Sequence, residues 1–293
     1  LGADVIKVEP PGGSPSRRIG PFFQDQVDPE RSLFFWHYNT GKRSLVADLD
    51  DPEGVRCVHE LVRHADVLLE SRAPGYLGLR GLGAAQLRAL NPALIYASIS
   101  PFGQTGPWRD YRACDLVHLA LGGQMEHTRY EARFDGSQDT PPIAPQMWQA
   151  YHIAGDHAAL AILAALLHRM GSGEGQQLDV SIHRTCAVTT EIDVPTWIYN
   201  KAPFPGFYVP YTPTRDGRWL LGGMGMSMGS SSAALLDLLR KYGWEHDLGD
   251  PAYAATALQP AQAEHVADIT RRFIGAAGLE QLWHEAQQRG LMW

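Results

Sequence analysis

The sequence has few cysteines, no excess of positive charge and no long apolar run, and each absence excludes a class of protein. Its three cysteines, Cys57, Cys114 and Cys186, form no CxxC pair, which disfavours a disulfide framework and a thiolate zinc site. With 25 Lys and Arg against 32 Asp and Glu, the formal net charge of -7 provides no general attraction for nucleic acid. The longest unbroken apolar run, Ala158 to Leu167, is about half of the ~20 residues that a membrane span requires. We therefore expect a cytoplasmic protein with no nucleic-acid or membrane partner.

The pattern of the first hundred residues predicts an α/β fold. The chain of 293 residues is 44% hydrophobic, enough for a full core. Helical patterns after Asp51-Pro52 and near 84–90 separate short aliphatic runs that are typical of strands. These runs are Asp4–Val8, Ser44–Leu49, Asp66–Leu69 and Leu94–Ser98. Alternating strands and helices predict a parallel sheet covered on both faces.

The second half of the chain is less regular. Residues 101–148 are rich in Gly, Pro and Trp, which is typical of a long functional loop. An Ala/Leu-rich helix near 149–170 and a strand at Gln177–Ser181 follow, and further helical patterns lie near 231–242 and 262–275. We therefore predict a large domain over residues 1–195 and a smaller α/β domain over residues 196–293.

Two local patterns look like known motifs but have the wrong spacing. His59 and His64 lie five residues apart, about 140° around a helix, whereas a helical zinc motif needs them four apart. The Gly222–Gly229 segment matches neither common phosphate-binding glycine pattern, so a connector is the favoured interpretation. We expect no bound metal.

The basic residues cluster near predicted strand ends and loops, a position where ligands bind in open α/β sheets. The set comprises Arg17, Arg18, Lys42, Arg43, Arg72, Arg109 and Arg112. These cations favour a phosphorylated ligand.

A series of short motifs occurs in an order that resembles one known family. They are Leu1–Gly13, Gly41–Leu45 with Asp51–Gly54, Ala65–Glu70 with Pro74-Gly75, Asn91–Ser100, Phe102–Pro107, and Gly173–Gln176 with Asp179–Ser181. Together they resemble the class III CoA-transferases, the formyl-CoA and carnitine CoA-transferase family that also includes α-methylacyl-CoA racemase. By this resemblance the chain is a fragment that lacks the family's first strand and helix and its C-terminal returning segment.

The resemblance implies a Rossmann-like, CoA-binding large domain, a smaller α/β domain and an interlinked homodimer. It also implies that an Asp carboxylate attacks an acyl-CoA thioester to form a mixed anhydride, after which CoA is passed to an acceptor carboxylic acid. Covalent catalysis divides this exchange into easier steps. CoA would thus be a substrate in thioester form, with no bound cofactor.

The resemblance places Tyr151 where the family carries its nucleophilic Asp, four residues before Gly155. The nearest carboxylate on the same helix is Asp156, about 140° around from Tyr151, and it is the candidate replacement. Asp115 matches a second motif, in which racemase-like members carry His at the position of Cys114. We expect Asp115 to order the loop or cap a helix, and a bulky acyl group to bind near Trp108, Trp148 and Tyr151.

The predicted CoA-binding residues are transferred from the family one by one. They are Arg17, Arg18, Lys42, Arg43, Ser71, Arg72 and Arg112. Ser71-Arg72 replaces the usual Asn-Phe, the Arg expected after Pro-Gly is displaced to Arg80, and Pro203–Phe207 replaces a glycine-rich lid. These departures indicate altered donor and acceptor specificity.

Three functions remain open from the sequence. The first is a transferase that moves CoA between an acyl-CoA and a carboxylic acid. The second is a catalytically silent CoA-binding subunit that pairs with an active paralogue, which Tyr151 favours. The third is an isomerase, racemase or lyase that acts on an acyl-CoA and uses Tyr151 or His152 as base.

Overall fold

The computed structural model describes residues 2–128, 141–201, 211–221, 232–253, 260–291 and 293. Its contacts divide the chain into two compact units, Leu1–Pro205 and Gly206–Trp293. The predicted boundary between residues 195 and 196 falls inside a helix at Asp193–Asn200, so the first unit extends past that helix. The Gly222–Gly229 connector and the Pro203–Phe207 segment lie outside the described residues.

The first unit alternates strands and helices along most of its length. Its strands are β1 (Ile6–Glu9), β2 (Arg43–Val46), β3 (Val67–Glu70), β4 (Ile95–Ser100) and β5 (Gln177–Ser181). Its helices are α1 (Leu33–Asn39), α2 (Pro52–Val62), α3 (Ala84–Leu90), α4 (Asp115–Leu121), α5 (Gln124–His127), α6 (Gln149–Ser172), α7 (Ile182–Val188) and α8 (Asp193–Asn200). Each predicted strand is present, with ends shifted by a few residues.

The strands form two parallel sheets, whereas the sequence predicted one. β1 pairs with β2, and β4 lies between β3 and β5. The register of the second sheet places Glu70, Ser98 and Asp179 in one row near the carboxyl ends of the strands. The α/β class and the parallel pairing are confirmed. The division into two sheets depends on which strands pair with each other, and the pattern of a single strand carries no information about its partner.

Local chemistry explains the helices that were predicted. Asp51 begins α2, since its side chain accepts a hydrogen bond from the Glu53 backbone N–H at 2.9 Å and Pro52 takes the first helical position. Val58 and Val62 then pack with buried residues of α3 and β4. This apolar cluster holds β3 and β4 in place beneath the loops that follow them.

Helix α1 was not predicted, because its residues show no clear helical period. Ser32 begins it by accepting a hydrogen bond from the Phe35 backbone N–H at 3.0 Å. The fully buried Ser32 hydroxyl also donates to the Ile19 carbonyl at 2.5 Å. The helix is therefore fixed by a contact to an earlier loop.

Helix α6 forms the long helix that the Ala/Leu pattern predicted. By length and composition alone it would be able to cross a membrane, a test that core helices of soluble proteins also pass. It ends at Gly173, whose φ of 75° suits glycine. Gly175 is required for a different reason, since a Cβ there would collide with the Leu94 backbone. The glycine turn thus lets the chain pass close to β4 and continue as β5.

In its described residues, the second unit combines a short antiparallel pair of strands with three α-helices. Its elements are β6 (Tyr211–Pro213), β7 (Trp219–Leu221), α9 (Ser232–Lys241), α10 (Pro260–Ala276) and α11 (Leu279–Gln288). Its buried core includes Leu238, Leu239, Phe273 and Ile274. Helix α11 was not predicted from the sequence.

Candidate functional site

The first turn of α6 lies against the start of α4. Trp148, the residue before α6, provides no side-chain cap. The Asp115 carboxylate caps the helix instead, because it accepts a hydrogen bond from the Ala150 backbone N–H at 2.9 Å. A carboxylate at this end also interacts favourably with the helix dipole. Asp115 therefore connects α4 to α6, as expected for a residue that caps a helix, but the helix it caps is α6 and not its own.

Tyr151 lies beside this cap. Burial of its hydroxyl end raises the pKa of the phenol, and the charges of Cys114 and Asp115 raise it further, whereas a hydrogen bond with the Asp115 backbone lowers it. The ring itself is 41% exposed. The structure thus brings two predicted residues, Asp115 and Tyr151, together, and the phenol stays protonated at neutral pH.

Asp156 lies apart from this pair on the same helix. Its side chain is exposed, and no hydrogen bond or ion pair is formed with it by any residue that the structure describes. Its position five residues after Tyr151 turns it about 140° around α6, which agrees with the geometric expectation. Its assignment as a nucleophile remains a prediction, and it is not part of the Asp115–Tyr151 contact.

A pair of histidines lies behind Asp115, and the sequence did not single it out. His118 of α4 is fully buried, and neither of its ring nitrogens has a partner among the described residues. Its ring stacks against His183 of α7 at a centroid distance of 6.4 Å, and Phe102 packs against both rings. Burial lowers the pKa of His118, His183 lowers it further, and Asp115 opposes this effect. The His118 ring is therefore neutral at pH 7.

Replacing His118 with Leu should remove an acid-sensitive contribution to stability. Because the folded-state pKa lies below the ordinary value of 6.5, the unfolded chain binds more protons as the pH falls through that value. Wild-type stability should therefore decline between about pH 7.5 and 5.5, and urea titrations should show a decline that is smaller in the variant by up to about 1 kcal/mol. His64→Leu, at an exposed histidine, should leave the decline unchanged, and an equal effect of both variants would contradict this assignment.

The predicted acyl pocket is only partly assembled. Trp148 and Tyr151 stack with a centroid distance of 6.2 Å and an interplanar angle of 14°. Trp108 packs instead on Phe102 at 5.7 Å and on His183 at 5.8 Å. Trp108 thus belongs to the cluster around the histidines, and the acyl pocket itself stays a prediction. Spacing in the sequence could not show that Trp108 packs with the histidines while Trp148 packs with Tyr151, because both tryptophans lie in or beside one irregular loop.

Arg17 has an internal ionic partner. Its guanidinium bonds both carboxylate oxygens of Glu9, at 2.8 and 2.9 Å, and also contacts Glu30 at 2.9 Å. Hydrogen bonding to Arg17 lowers the pKa of Glu9 to about 2, with Ser44 and the Ser14 backbone assisting and burial opposing. The bonds to Glu9 and Glu30 occupy three of the five N–H donors of Arg17, and the side chain is only 12% exposed. Arg17 thus orders the loop after β1, and its predicted CoA contact is untested.

The remaining cations of this region are more exposed. Lys42 donates to the Tyr38 carbonyl at 2.8 Å and to the Asn39 side chain at 3.1 Å. Burial lowers the pKa of Lys42, and the charge of Lys7 lowers it further. Arg43 forms an exposed ion pair with Asp4, and Arg18 is exposed. Lys42 keeps its charge uncompensated, because its described partners are neutral.

A second set of cations follows β3. Arg72 lies over the Tyr76 ring at 5.4 Å and Arg80 lies over the same ring at 3.8 Å. The Arg109 guanidinium comes close to Gly75, where an added Cβ would lie 3.5 Å from it. Ser71 and Arg112 are exposed. The loops after β3 and β4 therefore meet near the carboxyl end of the sheet, where an anion is expected to bind.

Acidic residues anchor this end of the sheet. Asp179 accepts a hydrogen bond from the Gln104 backbone N–H at 2.9 Å, and Glu70 accepts one from the Arg72 backbone N–H at 2.7 Å. Burial raises the pKa of Glu70, and bonds from Arg72 and Ser98 oppose it. Gly103, with a φ of 94°, lies directly against the Asp179 carboxylate. The Phe102–Pro107 and Asp179–Ser181 motifs therefore contact each other, and Asp179 holds the loop after β4 at the end of the sheet.

The described ranges contain no group of three or more side chains able to hold a metal ion. His59, from the motif considered for zinc, contacts the Gly81 carbonyl at 3.1 Å through one ring nitrogen. That contact gives His59 a role at the end of α2.

Comparison with known proteins identifies the family. The model of CoA-transferase family III matches residues 1–290. The succinate–glutarate CoA-transferase of Agrobacterium fabrum is 44% identical over 185 residues, covering 62% of this chain and 44% of the relative. Subunit BbsE of succinyl-CoA:(R)-benzylsuccinate CoA-transferase from Thauera aromatica is 40% identical over 197 residues, covering 67% and 46%. The matched parts are thus less than half of these relatives' lengths.

A solved structure agrees over nearly the whole chain. A CaiB/BaiF family protein from Brucella suis superposes with a TM-score of 0.72 at 28% identity, covering 99% of this chain and 76% of that protein. The match is to the same family that the ordered motifs indicated, and it includes both units. The chain belongs to CoA-transferase family III.

Proposed function

We propose that this chain belongs to an enzyme that moves CoA between an acyl-CoA thioester and a carboxylic acid. The observation that carries the proposal is the family match over residues 1–290. The relatives named above support it, since both are CoA-transferases of carboxylic acids. Arg72 and the uncompensated Lys42 supply positive charge for the phosphates of CoA, whereas Arg80 and Arg109 are paired with Asp50 and Asp110.

Turnover by the family's mechanism requires a carboxylate nucleophile, and the expected position here carries a tyrosine. Tyr151 stands at the expected carboxylate position, and its raised pKa keeps the phenol protonated. Asp115 already accepts the Ala150 N–H, and Asp156 lies elsewhere on α6. A second function is therefore a CoA-binding subunit that acts with a catalytic paralogue. The relative from Thauera aromatica is itself named as a subunit.

Exchange of labelled CoA separates the two functions. The intact protein is incubated alone with an acyl-CoA and labelled free CoA. Incorporation of label into the thioester identifies an active transferase, and incorporation only after addition of a purified paralogue identifies the subunit. If calorimetry detects no binding of any CoA thioester, both functions are refuted.

Lys42→Gln should weaken the binding of acyl-CoA by about tenfold, because one charge-assisted contact to phosphate is lost. Calorimetry at two salt concentrations should also show a weaker salt dependence for the variant. Arg63→Gln, which removes an exposed cation at the end of α2, is the matched control and should leave the dissociation constant nearly unchanged. Equal losses in both variants would assign the effect to net charge and contradict a Lys42 contact.

A further inference from the structure

Four aromatic residues from two helices form one open surface at the start of α6. They are Phe34, Tyr38, Trp148 and Tyr151, which we call the aromatic platform. Trp148 and Tyr151 are nearly parallel, and Phe34 meets the Trp148 ring edge-on at 6.4 Å and packs on Tyr38 at 4.7 Å. Trp148 and Tyr151 remain 44% and 41% exposed. The two rings therefore pack against each other while part of each stays accessible.

The backbone holds the platform in an unusual conformation. Met147 and Trp148 have φ values of 69° and 59°, in the left-handed region that residues other than glycine rarely adopt. Such strain persists only where surrounding contacts impose it, and it is common at functional sites. Here the contacts are the Asp115 bond to the Ala150 N–H and the Tyr38 hydroxyl, which lies 3.2 Å from His152 Nε2. Contacts from α1 and α4 thus fix the start of α6 and the indole beside it.

The chemistry of the surface points to a planar ring as its ligand. Aromatic rings gain from offset stacking on other rings beyond the area that they bury, and a saturated group of equal size lacks this gain. A rigid, preformed stack also loses little freedom on binding. The ligand that fits is therefore an aromatic ring.

We propose that the aromatic platform binds the ring of an aryl acyl group, so that the preferred thioester is an aromatic acyl-CoA. This inference rests on the proposed function, and it names the substrate class of that same site. Its position supports an acyl group over the adenine of CoA, because Tyr151 stands where the family places the residue that receives the acyl group. Trp148 is then the main specificity-determining residue.

Calorimetry with three compounds tests the inference on the intact protein. Benzoyl-CoA, cyclohexanecarbonyl-CoA and free CoA differ only in the acyl group, and the two acyl rings have similar size. We expect benzoyl-CoA to bind about three- to tenfold more tightly than the saturated analogue. Trp148→Leu should abolish this preference, since leucine retains apolar area but has no ring face. Trp197→Leu, at a 57% exposed residue of α8, should preserve it.

Each outcome separates the inference from the proposed function. Equal affinity for the two acyl-CoA compounds overturns the aryl preference but leaves CoA binding intact, whereas no binding of any compound overturns the proposed function. A loss of free CoA affinity in Trp148→Leu equal to the loss for benzoyl-CoA would assign the platform to adenine and overturn the inference. If Trp148→Leu fails to fold, Trp148→Phe decides, because it keeps a smaller ring and should retain part of the preference.

Discussion

Replacing Tyr151 with Asp is expected to raise the rate of CoA exchange by about two orders of magnitude or more. The substitution places a carboxylate at the position that the family resemblance assigns to the nucleophile. In the exchange, a carboxylate oxygen attacks the thioester carbonyl carbon, the carbon–sulfur bond breaks, and CoA leaves as the thiolate. The phenol of Tyr151 is poorly suited to this step, because its raised pKa keeps it protonated.

The local structure favours the introduced carboxylate. Position 151 lies in the first turn of α6, where the helix dipole stabilises a negative charge. The residue is 41% exposed, so water reaches the position even though partial burial raises the pKa of the present phenol. The nearby Asp115 opposes the new charge, but its carboxylate is already engaged by the Ala150 N–H. The introduced carboxyl group should therefore be ionised at neutral pH.

Two control variants distinguish nucleophilic chemistry from a change of shape. Tyr151→Asn has nearly the same shape as the Tyr151→Asp variant but no nucleophilic carboxylate, and it should show no gain. Asp156→Asn in the Tyr151→Asp background should retain the gain. Mass spectrometry of the Tyr151→Asp variant, treated with hydroxylamine during turnover, should locate a hydroxamate on the side chain at position 151. If the wild-type chain exchanges CoA rapidly and Tyr151→Asp lowers the rate, the interpretation of position 151 is wrong.

Glu9→Gln is expected to destabilise the protein by about 3 kcal/mol at pH 7. The Glu9 side chain is 1% exposed and forms a two-point ion pair with Arg17, which is 12% exposed. Removing the Glu9 charge leaves the largely buried Arg17 with only the exposed carboxylate of Glu30, and breaking a buried ion pair from one side is the costly way to remove it. Urea titration of the intact protein measures the free energy of unfolding. Arg17 also stacks on the Phe35 ring at 3.9 Å, so the start of α1 should loosen as well.

The pH dependence has a defined sign. The pKa of Glu9 falls from 4.5 to about 2 in the folded chain, so the ion pair contributes its full stability above the unfolded value. This contribution should be lost as the pH falls from 4.5 towards about 2, and Glu9→Gln should lack it throughout. Glu30 is the other partner of Arg17, and its side chain is 79% exposed. Glu30→Gln should therefore lower the free energy of unfolding by less than about 0.5 kcal/mol. Equal costs for both variants would contradict a buried ion pair.

Particular residues show how far the sequence could be interpreted. The strands β3, β4 and β5 were predictable because their aliphatic runs are bounded by turn residues and covered by amphipathic helices. Helix α1 was not, since a contact distant in sequence fixes its start, whereas a helix after Asp115 was expected. Asp115 caps a helix that begins more than 30 residues later, and no local pattern records such a bond. The contact between Tyr38 and His152 joins residues 114 positions apart, and it too has no sequence signal.

Residue types at fixed local spacings were enough to predict the α/β class, the order of the strands, the family, and a tyrosine at the position that the resemblance assigns to the nucleophile. The folded chain was needed to find that the strands form two sheets, that Arg17 pairs with Glu9, that Asp115 caps α6, and that Trp108 and Trp148 belong to separate aromatic clusters. Each of these features is a contact between residues that are far apart in the chain. Such contacts depend on burial, distance and charge in the folded protein, which local residue patterns do not contain.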